Sequence, residues 1–339
     1  MSLLSTVPFS VLDRSHVRRG EAGPAALRGT VELARRIEAL GYHRFWVAEH
    51  HGVPGIAGSA PTVLAAAVAA ATSTIRVGTG GVMLPNHRPF VVAEQFGVLE
   101  SLFPGRIDMG LGRSVGFTDG VRAALGREKR DADDFAGQLA ELLGYFTGGQ
   151  EPGPRVRARP AEGLRVPAFV LATGKGARVA AGAGLPLVIA PVRGEEAMLR
   201  AIEEYRAGFR PSAWGERPHV VVSGTVAVAA GTEEARDLLL PEAWATAYSR
   251  TRGEFPPLVS ARTVRETVMT ERERALFEEA ARGRTHGTAD EVAAGLEKLL
   301  GRTGADEFLV TTSTYDRAAL LDSYRRLAAL LGRRGPGAV

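Results

Sequence analysis

The chain has 339 residues, 45 % of them hydrophobic and 24 % charged, so it can bury a large core and wholesale disorder is excluded. It has no cysteine, which excludes disulfide scaffolds, thiolate nucleophiles, iron–sulfur clusters and cysteine zinc sites. The 42 basic and 38 acidic side chains leave a net charge of +4, and the basic ones fall in scattered pairs such as Arg18–Arg19 and Arg325–Arg326. They form no aromatic-interleaved stripe, so no nucleic-acid partner is expected.

In chain order, the amino terminus MSLLSTVPFSVLDRS lacks a basic stretch ahead of an apolar one, and the run Ala57–Thr72 is too short to span a bilayer. A soluble cytoplasmic protein with no membrane partner is expected. Eight apolar, β-rich runs follow one another: Leu3–Leu12, Arg44–Glu49, Ile75–Leu84, Arg106–Leu111, Ala168–Thr173, Leu185–Ala190, Val220–Ala229 and Glu307–Thr312. Helical spacing separates them, as in Leu33, Ile37 and Leu40 before Gly41, and in Leu320, Tyr324, Leu327 and Leu331. Near-continuous apolar strands alternating with helices imply a parallel sheet covered by helices.

Eight such units suit a closed (β/α)8 TIM barrel. A doubly wound sheet would carry a glycine fingerprint in its first turn, where this chain has DRSHVRRGEAGP. The barrel is expected as one domain over residues 1–339, with surplus length in insertions after strands 4 and 7. Residues 114–167 and 241–285 are the candidate lids. The closing GRRGPGAV is expected to fray.

A barrel places its chemistry at the carboxyl ends of its strands. The second run ends in Glu49, His50 and His51. His50 has an imidazole suited to proton transfer near neutrality, beside a carboxylate able to orient a ring. No metal site is expected there, because strand neighbours point to opposite faces and no H-E-x-x-H spacing occurs. His87 sits in the turn PNHRP and reads as structural or pocket-lining. Gly78–Gly81 interrupt the third run, which marks either a barrel bend or the close approach of a flat ring. GLGRSVG frees backbone amides beside Arg113, a pairing suited to a phosphate. LATGKGAR opens a helix, so Thr173 and Gly174 lie where a helix N-terminus favours an anion, Thr173 also being a plain helix cap.

Over Val47–Arg113 the motifs EHH, GTGG-x-MLPNH, AEQF-x-x-LE and PGR-x-D-x-GLGR occur in order, and there the sequence resembles the bacterial-luciferase-like flavin monooxygenase family. Weaker likeness continues through LATGKGARVAAGAGLP and HGTADEVAAGLEKLLGRTGADEFLVTTSTYD. The resemblance implies a barrel that binds reduced FMN at its mouth, commonly as a homodimer, the flavin coming from a separate reductase. It implies His50 as catalytic histidine and Gly80–Gly81 as the place of a non-prolyl cis peptide against the flavin ring. Arg113, with Thr173 and Gly174, would meet the flavin phosphate.

Two departures stand out. Light-emitting relatives carry a reactive cysteine where Gly112 stands, so bioluminescence is not implied. The phosphate loop shows Thr173-Gly174-Lys175 where relatives commonly have serines. The implied reaction is oxygenation of a small organic substrate by reduced FMN and O2 through a C4a-hydroperoxyflavin, with His50 as general acid or base and Glu49 beside it. Rival readings are an F420-dependent oxidoreductase of the same fold, a flavin-binding protein without turnover and a nicotinamide dehydrogenase.

Overall fold

The structure, a computed structural model, describes residues 2–147 and 156–333. Eleven strands appear among them: β1 (Phe9–Asp13), β2 (Arg44–Val47), β3 (Arg76–Thr79), β4 (Val82–Met83), β5 (Ile107–Gly112), β6 (Ala168–Leu171), β7 (Leu187–Ile189), β8 (Val220–Gly224), β9 (Val226–Val228), β10 (Thr285–Gly287) and β11 (Glu307–Val310). Thirteen α-helices alternate with them along the described chain. They are α1 (Leu3–Thr6), α2 (Gly23–Ala39), α3 (Pro61–Ala71), α4 (Pro89–Leu102), α5 (Asp119–Leu125), α6 (Phe135–Thr147) and α7 (Lys175–Ala183), then α8 (Glu195–Gly208), α9 (Thr232–Arg252), α10 (Ala261–Glu266), α11 (Glu271–Ala281), α12 (Ala289–Thr303) and α13 (Arg317–Leu330). This alternation is that of a (β/α)8 TIM barrel, as expected.

The residues fall into two compact units. The first comprises 1–45, 52–59 and 223–339. In it β1 pairs in parallel with β11, Phe9 opposite Phe308, and these two buried rings meet with centroids 5.3 Å apart. Burial of a ring of that size contributes about 1.5–3 kcal/mol. Helix α2 starts with proline in its first turn and buries Ala26, Thr30, Ala34 and Ile37. Its inward stripe thus passes through Ala34 and Ile37, while Leu33 and Leu40 lie half-buried at its border. A capping box between Thr288 and Glu291 opens α12, and Gly304 in the left-handed conformation closes it.

The second unit comprises 46–51 and 60–222. Here β3 and β4 both pair in parallel with β5, which pairs with β6, then β6 with β7 and β7 with β8. Trp46 packs edge-on against Phe169 at 5.0 Å, and its indole N–H donates to Asp108, a buried carboxylate also held by Arg76.

Three expected strands are corrected. The run from Leu3 begins as α1, because the Ser2 hydroxyl accepts the Leu4 N–H and caps a helical turn; the strand starts only at Phe9. The third run breaks at Gly80–Gly81 into β3 and β4. The seventh splits at Thr225, since β9 leaves its neighbours to pair with β10 in a separate two-stranded sheet. The stretch from Pro241 is helical rather than looped. Pro241 lies inside α9, Ser260 caps α10, and a Thr270–Glu273 capping box opens α11. Helices α9 and α11 meet through Trp244, Leu276 and Phe277. Within 114–167, α5 and α6 are formed, while 148–155 and all but the first two residues of GRRGPGAV lie outside the described residues.

Candidate active site

The second unit holds every candidate site residue read from the sequence, at or beyond the carboxyl ends of parallel strands. Glu49 follows β2 and is fully buried. Its carboxylate accepts from His51 Nε2 at 2.7 Å, from His87 Nε2 at 3.0 Å to both oxygens, from Asn86 Nδ2 at 3.2 Å and from the Met83 N–H at 2.9 Å. Those donors require the Nε2–H tautomer of each ring. Burial alone would raise the carboxyl pKa, but the bonds from His51 and His87 outweigh it and bring Glu49 down to about 2. The group is a fixed anion at neutral pH, not a proton donor. The rings it orients are those of His51 and His87, and His50 stands half-buried between Glu49 and His51 in sequence.

Glu49, His51 and His87 offer ligand atoms within 4.8 Å of one another, a grouping unforeseen in the sequence. Their contacts of 2.7 and 3.0 Å lie in the range of direct N–H···O bonds. Sequence reasoning also missed Asn86, whose side chain donates to Glu49 and accepts the Gly116 N–H at 3.2 Å. Arg127 in turn donates to the His87 carbonyl at 2.9 Å. The available signal was LPNH itself, a polar turn inside an otherwise apolar stretch.

The Gly80 N–H donates to the Val47 carbonyl at 2.8 Å, which sets the glycine pair beside the end of β2, and the Gly80–Gly81 peptide is cis. The neighbouring glycines are demanded by chain packing. A Cβ on Gly78 would lie 2.4 Å from the Asp108 carbonyl, and one on Gly81 would lie 2.8 Å from that of Gly110. A Cβ on Gly110 would be 1.9 Å from the Thr79 carbonyl oxygen.

Register carries the site onward. Met83 is opposite Gly112, and Gly112 opposite Leu171, so Arg113 and Thr173 emerge from adjacent strands. The Arg113 side chain is 41 % exposed, and its nearest carboxylate, Asp133, is 3.8 Å away. Thr173 is exposed and does not cap α7. The cap position belongs to Gly174, at φ 77° with open space where a Cβ would be, and no side chain caps the helix. Its first amides are therefore available to an anion.

The luciferase-like monooxygenase family matches residues 7–307. A luciferase-like monooxygenase of Escherichia coli (strain K12) is 36 % identical over 323 residues, 94 % of this chain and 95 % of that one. The crystal structure of apo-MsnO8 superposes with a TM-score of 0.83 at 30 % identity, covering 97 % of this chain and 99 % of that one. The oxygenating constituent of 3,6-diketocamphane monooxygenase from Pseudomonas putida, solved with FMN, shares the fold at a TM-score of 0.70 and 17 % identity, with 100 % and 99 % covered. The chain belongs to the luciferase-like monooxygenase family.

Proposed function

We propose that the protein is a two-component flavin-dependent monooxygenase, oxygenating a small organic substrate with O2 and with reduced FMN delivered by a separate reductase. The observation that carries this reading is the succession along neighbouring strand ends: His50 beside a buried, ionised Glu49, then the glycine pair, then Arg113 next to the uncapped start of α7. These residues fit FMN. Arg113, Gly174 and the α7 amides would hold its phosphate, with Thr173 at their edge, and Gly80–Gly81 would lie against its ring system. Reduced FMN, when bound, supplies the two electrons that let one oxygen atom enter the substrate while the other leaves as water.

The protein's part is positioning and proton transfer. His50 exchanges a proton with the reacting groups, and Glu49 acts by holding His51 and His87 rather than by titrating. The cytoplasmic location and the action of residues 1–339 as one domain, with 114–167 and 241–285 as lids, belong to the same proposal. No helix among the described residues is long and apolar enough to cross a membrane. A homodimer is part of it too, supported by exposed Val63 on α3 and Val91, Val98 and Leu102 on α4.

The test is anaerobic titration with reduced FMN and reduced F420 in parallel, followed by O2 uptake with the reductase present. Tight binding of reduced FMN with uptake matched by oxygenated product is expected. Preference for F420 would replace the reading with a deazaflavin-dependent oxidoreductase. FMN binding without turnover on any substrate would make the chain a flavin carrier.

A further inference from the structure

Away from these strand ends, the first unit holds a cavity of about 360 Å³ where the turn after β1 meets α2 and α13. Its charged lining is Arg18, Arg36, Arg317 and Arg325 against Asp13 and Glu32. The carboxylates are already engaged. Asp13 accepts from the Thr30 hydroxyl at 2.5 Å and the Ser15 N–H at 3.2 Å, and Glu32 pairs with Arg36 at 2.8 Å. Arg317 is held by Glu21 at 2.9 Å. Two guanidinium groups are left over.

Arg18 is the more telling of them. It is only 6 % exposed, and it donates through Nε to the Tyr315 carbonyl at 2.7 Å and through Nη1 to that of His16 at 3.1 Å. These neutral acceptors anchor the group without cancelling its charge, no carboxylate forms an ion pair with it among the described residues, and Nη2 makes no hydrogen bond there. Burial, and then the charge of Arg317, pull it down to about 10 against the opposing pull of Asp13, Glu21 and Asp316, so it stays cationic at neutral pH. Arg325, exposed on α13, likewise has no ion-pair partner among the described residues. Between the cations the walls are apolar, formed by Leu33, Leu320 and Leu321.

A buried guanidinium with no directly paired carboxylate and an unused Nη2 edge is costly unless a hydrogen-bonding anion completes it. We propose that this cavity is a binding site for an organic oxyanion with an apolar body, a carboxylate on a hydrocarbon chain, taken by Arg18 and Arg325 and seated against the leucines. Guanidinium favours carboxylate through paired charge-assisted hydrogen bonds, and the apolar walls favour a ligand with a chain over a bare ion. The inference stands independently of the monooxygenase reading, because the cavity shares no residue with the strand-end site.

The test is calorimetric titration of the full chain with octanoate, octanol and inorganic phosphate, repeated on Arg325→Gln and Arg18→Gln. Saturable binding of one octanoate is expected, with octanol and phosphate each at least about tenfold weaker. Arg325→Gln should weaken octanoate roughly tenfold, the loss of one charge-assisted hydrogen bond, and leave binding of reduced FMN unchanged. Should Arg18→Gln fail to fold, the exposed Arg325→Gln carries the test alone. Octanol binding as well as octanoate would show a merely greasy groove, and phosphate binding as well would show a merely basic one. Octanoate affinity unchanged in Arg325→Gln would place the ligand elsewhere. Any of these, or no binding at all, overturns the proposal.

Discussion

Glu49 shows how one side chain acquires a role its neighbours in sequence do not reveal. Buried and ionised, it is held by two imidazoles, an amide and a backbone N–H, and most of those donors come from a turn more than thirty residues away. Its folded pKa of about 2 lies below the unfolded value of about 4.3. The stabilisation is therefore complete above the unfolded pKa and lost as pH falls through the folded one. Compared with Glu49→Gln, the wild type should be more stable by about 3 kcal/mol at pH 7, with the gap narrowing between pH 4.5 and pH 2, as read by urea melts across that range. His50 makes the opposite case. His50→Ala should bind reduced FMN as before yet oxygenate about 10²–10⁴-fold more slowly in single turnover, the usual worth of a general acid or base. Wild-type rates in that variant would remove the role.

Among the elements, β5 shows which glycines are structural. Gly110 and Gly112 both belong to IDMGLG and are indistinguishable by pattern, but their surroundings differ. A methyl on Gly110 would meet the Thr79 carbonyl at 1.9 Å, whereas at Gly112 the nearest atom is 3.9 Å away. Gly110→Ala should cost about 3 kcal/mol or more, since backbone cannot yield as a side-chain tip can. Gly112→Ala should stay within about 0.5 kcal/mol. Thermal melts of the two variants check the contrast. The helices between 241 and 285 teach a related lesson. This stretch was expected only as an insertion after strand 7, yet α9 runs on through Pro241, and Ser260 and the Thr270–Glu273 capping box open two further helices.

At the scale of the molecule, α3 and α4 are apolar on more than one face, as helices covered on both sides are. With Val98 and Leu102 exposed, the chain should run as a dimer at micromolar concentration, and Val98→Asp with Leu102→Asp should shift it to monomer in light-scattering chromatography without loss of helicity. Strand and helix alternation, the barrel class and the clustering of Glu49, Gly80 and Arg113 on strand ends were all legible in the chain. Apolar periodicity reports backbone geometry and the inward face residue by residue, and a family's motifs carry the rest. Which ring Glu49 would hold, that Asn86 and Arg127 would brace the turn, and that Gly174 rather than Thr173 would stand at the cap of α7 were settled only by the folded protein. Those outcomes depend on strand register and on ångström-scale contacts between distant segments, for which local spacing carries no information.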